Sequence, residues 1–155
     1  MATLAEQRWR RLALCLAALW FGSLSAIGFL AVPLLFAHAP SPAQAGRLAA
    51  RLFTGQWWLT LGCALPLLGI FAKNRLGAGV EWSRNALFLI VIGVWLAALV
   101  ELLVAPRIVA RDNLALWHTV GSVGYALQWL CAATLVWRWP KADATPRQVN
   151  RPDAS

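Results

Sequence analysis

Four stretches of this chain, about Leu12 to Ala37, Leu48 to Ala72, Ala86 to Ala105 and Leu114 to Trp137, are apolar on nearly every side. Crossing a hydrocarbon core roughly 30 Å thick takes about 20 apolar residues at about 1.5 Å per residue, and all four are long enough. Membrane strands would instead be about ten residues long with alternating polarity, so helices are the only fit. Composition agrees. Of 155 residues 60% are hydrophobic and 13% charged, about half the charge of a soluble domain, which excludes a water-soluble globule and a disordered chain. The sequence thus predicts an all-α fold, an integral membrane bundle of four transmembrane helices surrounded by the lipid bilayer.

The connections between spans are too short for a separate domain, so residues 1–140 form one transmembrane unit. The segment 141–155 has prolines, mixed charge and no apolar periodicity, and is expected to be a disordered cytoplasmic tail. Cytoplasmic flanks hold the excess of Lys and Arg. Arg8, Arg10, Arg11, Lys73, Arg75, Arg84, Arg138, Lys141, Arg147 and Arg151 flank one side, against Arg47, Arg51, Arg107 and Arg111 on the other. Both termini are therefore expected in the cytoplasm, in an inner membrane. Ala37-His38-Ala39 resembles a signal-cleavage site, but the apolar run before it is much longer than the roughly 7 to 15 residues of a signal and contains Pro33. A retained first span is expected.

The net charge of +8 is spread over three separate flanks, so topology explains it without nucleic acid. Among ten Trp, Trp9, Trp82, Trp117, Trp137 and Trp139 fall at span ends and read as interface anchors, while Trp20, Trp57, Trp58, Trp95 and Trp129 lie deeper. Two stripes with small residues, Gly22-Ser25-Ala26-Phe29 and Gly121-Ser122-Gly124-Tyr125, are expected to be helix contacts. Pro33 and Pro66 should disturb the first and second helices.

Glu101 is the most informative residue, because a carboxylate inside a span is costly unless paired or protonated. It should face protein. Arg51 enters the second span from the same side at similar depth, which makes a Glu101–Arg51 ion pair the leading expectation and a protonatable or cation-binding carboxylate the second. In the fourth span His118, Ser122, Tyr125 and Gln128 follow at helical spacing and should share a face, as interhelical glue or a polar path. Thr54 and Gln56 are the groups of the second span that could meet them.

A His38, His118 and Glu101 set is chemically sensible for zinc or copper, but no HxxxH or CxxC spacing supports it. Cys15, Cys63 and Cys131 lie in three different spans and read as small reduced hydrophobes. The chain has no phosphate-binding Gly-rich loop, GxSxG or HExxH. No catalytic residue, cofactor or resident metal is expected, and the chain does not read as an enzyme.

Several short motifs occur in a telling order: Pro33-Leu34-Leu35-Phe36, Ala45-Gly46 leading to Arg51-Leu52-Phe53, Pro106-Arg107, and the His118, Ser122, Tyr125, Gln128 series. From about Trp20 to Val136 the chain resembles the four-span membrane family of unknown function typified by transmembrane protein 205 and its bacterial relatives, domain of unknown function 4149. That resemblance implies an integral membrane protein and no active site. Glu101 departs from it, standing where a neutral residue is expected. A more distant likeness to the membrane domain of CopD-type copper-resistance proteins keeps metal-ion transport in view.

The functional expectation is a structural or accessory membrane protein whose outer polar layer serves packing or partner recognition, in a homo-oligomer or larger membrane complex. The competing expectation is a small transporter or ion-handling protein using Glu101 and the His118 stripe.

Overall fold

The structure, a computed structural model, describes residues 4–73, 80–110 and 113–139. All regular structure among them is helical, in four helices long and apolar enough to cross a membrane: Leu4–His38, Pro42–Ala72, Glu81–Val109 and Leu114–Trp137. The third is preceded by one further helical residue, Val80. The tail expected to be disordered lies outside the described residues. So do Arg75, Arg111, Lys141, Arg147 and Arg151 of the charge comparison.

The first three helices begin before their apolar stretches do. The second shows why: Ser41 caps it, its Oγ accepting from the backbone N–H of Gln44, and Pro42 follows at the first position, where no N–H is needed. Helix formation therefore starts at the cap, and the polar turn through Arg47 is carried along.

Pro33 and Pro106 act differently from Pro66. Pro66 lies within an unbroken α-helix, whereas the first and third helices widen into π turns at Ile27–Ala31 and Val100–Val104. There Val32 N–H reaches Ile27 O and Ala105 N–H reaches Val100 O, five residues back. A proline clashes with the carbonyl four residues before it, and one extra residue in the turn relieves that clash. The disturbance expected at Pro33 is therefore a π turn, and Pro106 brings a second.

The apolar core fills the half of the bundle nearer the chain termini. Ala13, Ala17, Trp20 and Leu24 meet Cys63, Ala64, Leu67, Ile70 and Phe71, with Ala86, Ile90, Ala132 and Leu135 closing it. Trp139 edges onto Phe71 with ring centroids 6.2 Å apart. At the far end Arg107 lies over the Trp117 ring, 4.2 Å from its centroid, tying the third helix to the fourth. Trp58, Leu65, Phe88 and Trp95 are exposed on the outside of the bundle, the surface that acyl chains would cover in a membrane.

The two helical hairpins repeat one pattern. Phe53-x-x-Gln56-Trp57 in the second helix corresponds to Tyr125-x-x-Gln128-Trp129 in the fourth. The π turns of the first and third helices stand at matching places, with Gly28 and Glu101 as second residues and a proline just beyond each. Equivalent residues also meet: the Phe53 and Tyr125 rings pack edge-on at 5.3 Å, Gln56 and Gln128 both reach Thr60, and Trp20 covers Gly93, its counterpart. A residue touches its own counterpart only near a two-fold axis, so these contacts place a pseudo-two-fold relation between the hairpins.

Candidate functional site

Most of the polar side chains of the interior gather between the apolar core and the far end. Thr60, fully buried on the second helix, is their hub. Its Oγ1 accepts from Trp20 Nε1 at 3.2 Å, Gln128 Nε2 at 3.1 Å and Gln56 Nε2 at 3.4 Å, which joins three helices at one atom. Gln56 Nε2 also reaches Ser23 Oγ at 3.1 Å. Its Oε1 is buried and has no partner among the described residues.

A second group of bonds ties the fourth helix to the first. Tyr125 donates its hydroxyl to Leu24 O at 2.8 Å, and Trp129 Nε1 donates to Ser25 Oγ at 2.8 Å. Phe21 and Phe29 pack against the Trp129 ring, each 5.5 Å away between centroids.

Glu101 does not pair with Arg51. Among the described residues no ion pair joins them, and the carboxylate Oε1 instead accepts the Thr54 hydroxyl at 2.7 Å. Arg51 is exposed, with its neighbours Gln44, Arg47 and Leu48 on the outer turns of the second helix. Thr54, one turn on from Arg51, is the residue of the second helix that meets Glu101.

The His118 series is split. His118 and Ser122 are exposed, Tyr125 is half-buried and Gln128 is buried. The buried face of this helix runs through Gly124, Gln128, Ala132 and Leu135, so the series crosses the edge of the contact face obliquely. Gly121 and Gly124 do serve close contact, since a Cβ on either would meet Val104 at 3.2 Å or Val100 at 2.9 Å. The other small-residue stripe is a contact only in part: Ser25 and Phe29 meet Trp129, whereas Gly22 and Ala26 are exposed and Gly22 has nothing within 4 Å of a built Cβ. The first helix instead uses Ala13, Ala17, Trp20 and Leu24, with Gly28 under the Tyr125 ring.

His38, His118 and Glu101 form no metal set. Among the described residues no three or more His, Cys, Asp or Glu gather where they could hold a metal ion. His38 Nδ1 lies 3.1 Å from Leu34 O of its own helix. All three cysteines are free, with Cys63 buried and Cys15 exposed.

What the far half contains is a narrow cleft between the second, third and fourth helices. It is lined by Gln56, Thr60, Glu101, Tyr125 and Gln128 among the rings of Phe53 and Trp57, and has about 20 Å³ of space for water. Of the six site candidates, the structure brings Glu101, Tyr125 and Gln128 to this cleft and leaves Arg51, His118 and Ser122 outside. Thr60 is the central residue that sequence reasoning missed. The repeated aromatic-x-x-Gln-Trp run was the available signal, since it marks the pair of glutamines that converge on Thr60.

Comparison with known families gives a match to Domain of unknown function (DUF4149) over residues 15–115. The matched region takes in most of the first helix, all of the second and third, and both π turns, and it ends before His118. No curated protein and no solved structure matches the chain. The family match spans well over half of the residues and covers Glu101 with its Thr54 partner: this chain belongs to the DUF4149 family.

Proposed function

We propose that the chain is a non-catalytic accessory protein of an inner membrane, with both termini in the cytoplasm. It recognises a second membrane component, another copy of itself or a larger complex, through the polar residues at its far end. One observation carries this reading. Thr60, Gln128 and the amide N–H of Gln56 are bonded between helices, while Arg51, His118 and Ser122 stand outside the bundle at the same end. Polar side chains directed away from the bundle near a membrane boundary are costly to leave facing lipid and are available to a partner. A continuous polar path along the fourth helix has less support, because the upper half of that series faces outward.

The test is photo-crosslinking in intact membranes from a probe at position 118 or 122, with position 88 on the lipid-facing surface as the comparison. Adducts at defined mass from 118 or 122, and none from 88, support the reading. No adduct from either far-end position overturns it. Compartment reporters fused to the two ends should both report cytoplasm, and any other result removes the orientation.

A further inference from the structure

The far-half cleft holds two acceptor atoms that the protein leaves unanswered on one side. Gln56 is 3% exposed, and its Oε1 is buried without a partner among the described residues. Glu101 has one described partner, the Thr54 hydroxyl on Oε1. Thr60 meets Gln56 through the amide N–H, Nε2 to Oγ1 at 3.4 Å, and makes no bond to Gln56 Oε1. An unanswered buried acceptor is costly, and a carboxylate inside a membrane span more so.

The repeat sharpens the contrast. At the place equivalent to Glu101, the first hairpin carries Gly28, and the Tyr125 ring lies so close that an added Cβ would be 2.7 Å from Cε1. There the Tyr125 hydroxyl and Trp129 Nε1 are both used, on Leu24 O and Ser25 Oγ. One half of the pseudo-symmetric bundle is packed shut, while the half with the carboxylate keeps a cleft of about 20 Å³, room for a single water-sized particle.

We propose that this cleft binds one hard monovalent cation of about the size of sodium, held by Glu101 and the carbonyl oxygen of Gln56, with Gln128 and Tyr125 beside it. Three features select that class. The acidic and amide groups offer oxygens, and neither thiol nor imidazole lines the cleft, which disfavours soft or borderline metals. A single carboxylate is neutralised by one positive charge, whereas a divalent ion would leave a net charge in the span. The space admits the ion with its oxygens and not a hydrated shell. The ion is a resident one that closes the polar layer, so the inference goes beyond the partner-recognition reading and does not depend on it.

The full chain, purified in detergent and freed of sodium and potassium by exchange into choline chloride, is titrated with NaCl or KCl at constant ionic strength. Thermal unfolding and equilibrium binding of radioactive sodium are followed. The expected result is a saturable rise in unfolding temperature and one ion bound per chain, both lost in Glu101→Gln and both retained in Arg51→Gln. A wild type indifferent to the identity of the cation overturns the proposal and leaves a water or a protonated Glu101 in the cleft. Equal binding by wild type and Glu101→Gln overturns it as well. If Glu101→Gln does not fold, Gln56→Leu serves as the second variant: binding weakened at least tenfold supports the site, and unchanged binding refutes it.

Discussion

The indole edge of Trp20 lies directly on Gly93, so near that a Cβ there would come within 2.6 Å of Cη2 and 2.9 Å of Cζ2. Both residues are buried and occupy equivalent places in the two hairpins, and the absent side chain of one is the space filled by the other. Because Trp20 also donates Nε1 to Thr60, its position fixes both the apolar core and the polar layer above it.

Gly93→Ala is therefore expected to destabilise the bundle by about 1–3 kcal/mol, the usual cost of forcing a methyl into a packed interior. Gly55→Ala and Gly62→Ala, where an added Cβ meets nothing within 4 Å, should be neutral or slightly stabilising. Combining Gly93→Ala with Trp20→Phe, which shortens the ring, should give less than the sum of the two losses. Unfolding midpoints in detergent measure all five variants, Trp20→Phe alone included, and additivity in the double variant would refute direct contact.

Thr60→Val keeps the shape of the side chain and removes the acceptor that three N–H groups share. Interhelical hydrogen bonds in membrane proteins contribute modestly one by one, with about 1.7 kcal/mol near the upper end. Losing the hub leaves several donors unanswered together, so a loss of about 2 kcal/mol is expected. Thr60→Ser should retain most of the stability. Unfolding of the two variants under identical detergent conditions separates the hydroxyl from the methyl.

The class of fold was fully legible, because a run of apolar residues on all sides permits one structure in lipid. The site was legible only in part. Periodicity placed Tyr125 and Gln128 toward the interior, but drawing the same line through His118 and Ser122 rotated it off the contact face marked by Gly124 and Leu135. The Arg51–Glu101 pairing failed for a related reason. Depth along a span follows from residue count, and Glu101 does meet the second helix, but its partner there is Thr54, one turn on from Arg51, and residue count does not choose between positions one turn apart.

Arg51→Gln tests that correction. With Arg51 exposed and Glu101 bonded to Thr54, the substitution should change stability by no more than about 0.5 kcal/mol, as surface replacements do. Thr54→Val should cost more, about 1–2 kcal/mol, since it strips the carboxylate of a donor. A larger loss from Arg51→Gln than from Thr54→Val, measured in the same unfolding assay, would restore the ion pair.

Tyr125 offers a way to separate packing from hydrogen bonding at the closed half of the repeat. Its ring covers Gly28 and meets the Phe53 ring, while its hydroxyl donates to Leu24 O just before the π turn of the first helix. Tyr125→Phe keeps both ring contacts and removes only the donor, so a loss of about 0.5–1.5 kcal/mol is expected. Gly28→Ala keeps the donor and forces the ring away from a methyl that would otherwise sit 2.7 Å from Cε1. That should cost about 1–3 kcal/mol. The ring's displacement would also weaken the hydroxyl contact, so adding Tyr125→Phe to Gly28→Ala should cost less than Tyr125→Phe alone. Strict additivity of the pair in detergent unfolding would mean that ring and hydroxyl act independently, and that Tyr125 does not couple the two helices through one rigid contact.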